Sequence, residues 1–206
     1  MRSGHEGWVA TLTVTEPNRG SRACAAAVFV GSDAISRLGI ARVGDLVRAA
    51  AAVPARWRPH VRHEIHHRNY EHLALTEDHE VLVICWEVGQ MTLLHDHATS
   101  VGAFVVVEGC LLEDYGRLGS RSLRQRRLAR GKVSSFGPSY VHNLVNPGPG
   151  LATSIHAYSP PISMLNYYAV LPGGVERVRS LMVEQPEPPA PGGWLQAAPL
   201  TEDSTA

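Results

Sequence analysis

Residues 89–109 read GQMTLLHDHATSVGAFVVVEG, in which a histidine pair is followed by an apolar run. If residues 91–97 form a strand, the alternation of side chains puts His95 and His97 on one face, with their Cα atoms about 6.6 Å apart. Two imidazoles in this arrangement can converge on one metal ion, since neutral imidazole is the commonest metal ligand among side chains. The stretch therefore predicts a β-strand that carries part of a metal site.

Short apolar runs extend from this stretch in both directions, with Gly, Pro or Asp between them. Their spacing of roughly 8 to 12 residues is typical of an antiparallel sandwich or barrel. Upstream, residues 32–52 are predicted to be helical, with a second short helix over 45–52 that ends before Pro54. The predicted strands are 81–86, 91–95, 101–107, 109–115, 122–128, 131–136, 140–145, 151–158 and 166–171.

The composition limits the class of protein. The chain has 206 residues and no formal net charge, with 19 Lys+Arg against 19 Asp+Glu, unlike the basic domains that bind nucleic acids. Three cysteines without a CxxC pair favour a reducing compartment over a secreted disulfide framework. The N-terminus has no signal-peptide core, and no apolar run approaches the ~20 residues of a membrane span. We therefore expect a cytoplasmic protein with no nucleic-acid or membrane partner.

A chain of this length can bury one hydrophobic core without a disulfide or a structural metal. We predict an N-terminal extension over 1–31, one domain over 32–182 and a proline-rich tail over 183–206, which contains the sequence EQPEPPAPGG. The basic run over 121–132 is interpreted as a solvated hairpin face, because the total charge is balanced. Whether the chain is a monomer or a homodimer stays open.

Two motifs extend the histidine pair into a family pattern. The spacing Gly-x5-His-x-His-x4-Gly-x6-Gly, which ends at Gly109, resembles the first motif of the cupin superfamily, although residue 102 is commonly a glutamate ligand there and is glycine here. Residues 138–147 read PSYVHNLVNP and resemble the second cupin motif. The resemblance implies a mainly β fold, a jelly-roll barrel preceded by short helices, in which a metal ion is held by His95, His97 and His142.

Three further segments make the resemblance more specific. Residues 66–69 (HHRN), 84–86 (ICW) and 154–161 (SIHAYSPP) are similar to the corresponding segments of the cysteine dioxygenase family of thiol dioxygenases. The similarity extends over about residues 33–172, so the domain over 32–182 is interpreted as a cupin of this type. It implies oxidation of the thiol of L-cysteine, or of a related mercapto acid, to a sulfinate, with iron(II) as cofactor and dioxygen as cosubstrate.

The resemblance also implies roles for single residues. Arg68 lies where the family has the arginine that receives the substrate carboxylate, and His66 lies where the family often has a tyrosine that helps to hold it. Tyr158 would place its phenol near the substrate thiolate, so the implied catalytic residues are Tyr158, His156 and Arg68. Ser154 and Trp86 would support them, since residues 154, 156 and 158 share one face of a strand.

Two departures from the family keep alternatives open. Animal members have a cysteine at the position of Gly102 that becomes linked to the tyrosine, so this crosslink should be absent here; His66 is the second departure. One alternative is a related cupin of specialised, natural-product biosynthesis that oxidises and rearranges L-cysteine or another thiol, with another metal such as nickel. A second alternative is a non-catalytic cupin that senses a small molecule.

Overall fold

The structure, a computed structural model, describes residues 37–183. The predicted N-terminal extension, the start of the predicted helix and the tail from residue 184 onward lie outside the described residues. Within them, no helix is both long enough and apolar enough to cross a membrane.

Within the described residues, two helices and a 3₁₀ turn precede the strands. Helix α1 spans Ile40–Ala51, α2 spans Pro54–Trp57, and the turn spans Arg58–His60. Pro54 is the first residue of α2, where its missing N–H costs no helical hydrogen bond. The short helices predicted before the barrel are therefore present in the described region.

Helix α1 is continuous, so the prediction of a separate helix over 45–52 is wrong. Val43 and Val47, one turn apart, are both fully buried and form the apolar face of one amphipathic helix. Gly44 between them allows close packing, because a Cβ there would lie 2.9 Å from Oγ of Ser135. Because this one face packs against the first sheet along its length, residues 40–51 form a single helix.

Eleven strands within residues 37–183 form two antiparallel sheets. The first sheet has the order β1-β2-β9-β4-β7 and the second the order β11-β10-β3-β8-β5-β6, which confirms the prediction of a mainly β fold. The strands are β1 Tyr70–Leu75, β2 Glu80–Trp86, β3 His95–Asp96, β4 Val101–Glu108, β5 Cys110–Gly116, β6 Arg124–Ala129, β7 Val133–Phe136, β8 Val141–Val145, β9 Ala152–Ser159, β10 Met164–Leu171 and β11 Gly174–Met182.

Eight of the nine predicted strands are confirmed, with ends that shift by at most two residues. The exception is the strand predicted over 91–95, where Met91 forms only an isolated bridge to Val145 and β3 begins at His95. Strands β1 and β11 are additional to the prediction. Both lie at sheet edges and are largely exposed, so their sequences lack a clear apolar pattern.

The central strands of the first sheet, β2, β9 and β4, are buried on both faces. One face packs on the second sheet through interior residues such as Phe104, Val106 and Leu82. The other face packs on α1, whose valines contact a cluster that includes Val105 and Ile155. Burial of both faces explains why β2 and β4 read as continuous apolar runs rather than as alternating ones.

Asp96 holds the short strand β3 in place. Its Oδ1 accepts hydrogen bonds from Nδ2 of Asn166 at 2.7 Å and from the backbone N–H of Ala98 at 2.9 Å, and its Oδ2 accepts one from the Tyr168 hydroxyl at 2.5 Å. Ala98 has a φ of 51°, in the left-handed region that few residues other than glycine adopt. The buried carboxylate therefore ties the histidine pair and the following turn to β10.

Replacement of Asp96 tests this anchoring role. Asp96→Ala leaves the Asn166 amide and the Tyr168 hydroxyl without their acceptor, so the free energy of unfolding should fall by about 3 kcal/mol in urea denaturation. Asp45→Ala is the control, because the Asp45–Arg48 pair on α1 is exposed, and its change should stay within about 0.5 kcal/mol. Equal, small losses in the two variants would contradict the role of Asp96.

Candidate metal centre

Three histidines converge inside the barrel. The ring centroids of His95 and His97 are 4.8 Å apart, those of His95 and His142 4.9 Å, and those of His97 and His142 5.3 Å. One ring nitrogen from each histidine lies within 4.8 Å of the others, and all three residues are buried. The arrangement can hold one metal ion.

Strand pairing accounts for this convergence. His95 on β3 lies directly opposite His142 on the neighbouring strand β8, and facing residues of an antiparallel pair carry their side chains on the same side. His97 follows β3 by one residue and comes to the same side, while Asp96 between the two histidines bonds to β10. Residues far apart in the sequence thus become neighbours through register alone.

The nitrogen atoms fit a metal site. His95 has its Nδ1 within 2.7 Å of the Leu93 carbonyl oxygen, so Nδ1 carries the proton and Nε2 carries the lone pair. The Nε2 atom of His142 is buried and has no hydrogen-bond partner within the described part of the chain. A buried polar atom without a partner is costly, and coordination to a metal ion would satisfy it.

The environment keeps the His95 and His97 imidazoles neutral. Burial, with the nearby His142 as the second cause, lowers the pKa of His95 to about 3. Burial and the neighbouring histidines also hold the pKa of His97 well below its usual value. Neutral imidazole is the form that binds a metal, since a protonated ring has no free lone pair.

A chain of hydrogen bonds runs along the wall beside the histidines. Nε1 of Trp86 donates to Oγ of Ser154 at 2.8 Å, this Oγ lies 2.8 Å from Nε2 of His156, and Nδ1 of His156 lies 3.1 Å from the Tyr158 hydroxyl. Three of these residues alternate along β9 and face the barrel interior, as the sequence predicts. The four side chains therefore form one connected network.

The two titratable groups of this network, His156 and Tyr158, keep their uncharged forms. Burial holds the pKa of His156 well below its usual value, so its neutral ring donates at one nitrogen and accepts at the other. Burial raises the pKa of Tyr158, so its phenol is protonated at neutral pH. The Tyr158 ring also lies against His97, with 4.6 Å between the ring centroids.

Arg68 lines the same cavity from the segment before β1. Its guanidinium carbon lies 5.1 Å from the centroid of the Trp86 ring, and its Nη1 donates to the Met91 carbonyl oxygen at 2.6 Å. Stacking on an indole and a backbone hydrogen bond both restrict the guanidinium orientation. The cavity thus has a positioned positive charge near the histidines.

Gly102 packs closely against Phe136 in the wall beside Tyr158. Gly102 pairs with Tyr158 across β4 and β9, and a Cβ at Gly102 would lie 2.4 Å from Cε2 of Phe136 and 3.0 Å from Cδ1 of Tyr158. The Phe136 ring, which stacks on His97 with 5.3 Å between centroids, fills the space that a side chain at position 102 would need. The glycine is therefore required by packing.

The cavity that contains the histidines measures about 500 Å³. Arg68, Trp86, His156 and Tyr158 line it together with the three histidines, and its lining also includes Ile162, Leu165, Leu181, Met182 and Val183. The structure does not bring His66 to this group: His66 is exposed, lies in a bend before β1 and does not line the cavity. Tyr70, two residues beyond Arg68, lines the cavity.

Two acidic residues near the site have no counterpart in the predictions. Glu80 lines the cavity, with Oε2 3.0 Å from Nε2 of His72 and Oε1 accepting from the Ile162 N–H at 2.7 Å. Glu113 on β5 is fully buried and contacts Nδ1 of His142. Alternation along β5, where Leu111 faces the interior, would indicate an interior position for Glu113 but would not identify its partner.

Several solved structures resemble the chain at low sequence identity. The chain is similar to TT1209 from Thermus thermophilus, with 16% identity, a TM-score of 0.45 and coverage of 50% of this chain and 93% of that chain. It is also similar to an uncharacterized conserved protein with a double-stranded beta-helix domain from Klebsiella pneumoniae, with 21% identity, a TM-score of 0.43 and coverage of 50% and 85%. A third similar structure is an RmlC-like cupin protein from Desulfovibrio desulfuricans, with 20% identity, a TM-score of 0.41 and coverage of 50% of this chain and 91% of that chain.

The family comparison covers more of the chain. Residues 29–170 match the family model described as cysteine dioxygenase type I. This range contains the three converging histidines, Arg68 and the hydrogen-bonded network that ends at Tyr158. Because the match extends over more than half of the sequence, the chain belongs to the cysteine dioxygenase type I family.

Proposed function

We propose that this protein is a thiol dioxygenase that oxidises L-cysteine, or a closely related mercapto acid, to the sulfinate at an iron(II) centre. The ligands would be His95, His97 and His142. One observation carries the proposal: the three histidine rings share a cavity with a positioned arginine and with a buried tyrosine at the end of a hydrogen-bonded chain. Family membership supports a dioxygenase with a small thiol substrate.

The overall reaction balances without a reductant. A thiolate and dioxygen combine to a sulfinate, so two S–O bonds form, the O–O bond breaks, and sulfur supplies the electrons. Iron(II) held by neutral imidazoles would supply the redox chemistry that a protein side chain cannot. The protein would contribute positioning and electrostatics.

Arg68 is proposed to bind the substrate carboxylate. Its guanidinium offers paired donors that match the two oxygens of a carboxylate, and its stacking on Trp86 sets its direction. The same positive charge lies near enough to His95 and His156 to lower the pKa of each of them. A substrate held there by its carboxylate would have its sulfur directed toward the histidines.

Tyr158 is proposed to contact the reacting sulfur and oxygen atoms. Its protonated phenol can donate a hydrogen bond to a thiolate or to a developing negative charge. His156 would hold the hydroxyl in place through its Nδ1, and Ser154 would orient the His156 ring through the contact with its Nε2. Trp86 anchors the other end of the chain.

The direct test combines three measurements on the full chain. We expect stoichiometric iron by elemental analysis, oxygen uptake with L-cysteine, and a product that mass spectrometry finds heavier by two oxygen atoms. Thiol binding without oxygen uptake would instead indicate a sensing cupin and would contradict the proposed activity.

The cavity size favours a second candidate, oxidation of a larger thiol in specialised biosynthesis, with iron or another metal such as nickel. A volume of about 500 Å³ lies within the range of about 300–1,000 Å³ typical of sites for drug-sized ligands. Glu80 and several apolar residues also line this cavity, and a larger thiol than L-cysteine would contact more of them. Faster turnover of an extended thiol, or a product with an altered carbon skeleton or amine, would favour this candidate.

Substitution of Arg68 tests its role in binding. Arg68→Ala should raise KM for L-cysteine about 10- to 100-fold, because charge-assisted hydrogen bonds to the carboxylate are lost, and iron content should stay unchanged. Cysteamine, which has no carboxylate, should be oxidised equally by the variant and the original chain. Arg124→Ala is the control, since Arg124 is exposed on β6. Equal losses with both substrates would contradict carboxylate binding.

Substitution of Tyr158 tests the chemical step. Tyr158→Phe keeps the ring against His97 and removes only the hydroxyl, so kcat should fall about 100-fold while iron content and KM change little. Tyr115→Phe on β5, outside the cavity, is the matched control and should keep full activity. Steady-state oxygen uptake measures both variants. An unchanged kcat in Tyr158→Phe would exclude the hydroxyl from the reaction.

A further inference from the structure

Glu113 is a charged residue in a fully buried position. Its side chain has no exposed surface, and it lies on β5, directly opposite Arg126 on β6 and diagonal to His142 on β8. A buried carboxylate is costly unless it is fully hydrogen-bonded or paired. The mechanism proposed above does not use it, so its partners indicate what it does.

Three donors surround the carboxylate. Nε of Arg126 donates to Oε2 at 2.6 Å, the Tyr140 hydroxyl donates to Oε1 at 3.0 Å, and Nδ1 of His142 lies 2.9 Å from the same Oε1. Arg126 is itself held by Oγ of Ser134 at 2.6 Å from its Nη2. Both oxygens are therefore engaged as acceptors.

This arrangement determines where the proton of His142 lies. Oε2 of Glu113 accepts from the permanently charged Arg126 guanidinium and Oε1 accepts from the Tyr140 hydroxyl, so Glu113 is held as a carboxylate anion. An ionised carboxylate only accepts hydrogen bonds, so Nδ1 of His142 must carry the proton. In the neutral ring the lone pair is then on Nε2, the buried atom without a partner within residues 37–183.

The three histidines differ in what holds them. His95 bonds through Nδ1 to a neutral backbone carbonyl, and His97 is packed between the rings of Phe136 and Tyr158. His142 is bonded to an anion. A carboxylate behind an imidazole fixes the tautomer, orients the ring and makes the other nitrogen a stronger donor.

We propose that Glu113 is a positioning residue for the metal centre: it holds His142 as the Nδ1-protonated tautomer, with Nε2 directed toward His95 and His97. Arg126 and Tyr140 hold Glu113 in turn and complete a network that reaches the partly exposed strand β6. This inference rests on the metal centre of the proposed function but not on the thiol or the reaction. The alternative is that Glu113 only neutralises Arg126 in the core.

Metal affinity separates these two roles. The full chain, freed of metal by chelation, is titrated with Co(II) against a chromophoric chelator, and the visible spectrum of bound Co(II) reports the ligand geometry. Glu113→Gln keeps the side-chain shape but places an amide among three donors, so we expect Co(II) affinity to fall about 10- to 100-fold and the spectrum to change. Asp114→Asn is the matched control, because Asp114 is the next residue on β5 and bonds to exposed Gln125 at 2.8 Å; it should bind Co(II) normally.

Each outcome distinguishes the hypotheses. Original affinity and spectrum in Glu113→Gln would overturn the positioning role and leave the metal centre intact. No Co(II) binding by the original chain would overturn the metal centre itself. If Glu113→Gln does not fold, as judged by circular dichroism, Tyr140→Phe removes one hydrogen bond to Oε1 and should weaken Co(II) binding several-fold; unchanged binding there would also overturn the role.

Discussion

The burial of three histidine rings in one interior is the constraint on which the rest of the site depends. First, each ring must stay uncharged, because charging any ring would repel the others. Second, each ring must stay unprotonated on the nitrogen that faces the other two. Burial meets the first requirement by lowering the pKa values of His95 and His97. Separate partners meet the second, since a carbonyl holds the proton of His95 and Glu113 holds that of His142. The two-residue strand β3, fixed by Asp96 from its other side, brings these rings together.

Short-range sequence patterns predicted the parts of the site that depend on one strand. The spacing of residues 154, 156 and 158 on β9 follows from alternation alone, and the two cupin motifs identify the three histidines. Glu113 and Arg126 were not identified, because their meeting depends on the register of β5 against β6 and β8. Register is a property of two paired strands, and alternation along either strand constrains only its parity.

Local departures from regular strands explain the remaining differences. The role of His66 is implied by the family resemblance alone, and in the structure residues 65–67 form a bend and the histidine is exposed. The wall beside Arg68 includes Tyr70 instead. The strand predicted before His95 is interrupted because β3 pairs with its neighbours only at His95 and Asp96. Exposed edges and bends carry weak apolar patterns, so such segments are the least predictable from sequence.

Gly102 and Glu113 together explain how a centre without a carboxylate ligand can balance its charge. In the common cupin motif a glutamate at the position of Gly102 would coordinate the metal directly. Here the Phe136 ring occupies that space, so no side chain can reach the metal from position 102. In the proposed centre, the negative charge of Glu113 acts through the His142 ring instead and takes up no coordination position. The metal would then keep a position free for an anionic substrate such as a thiolate, while one buried carboxylate still offsets part of its charge.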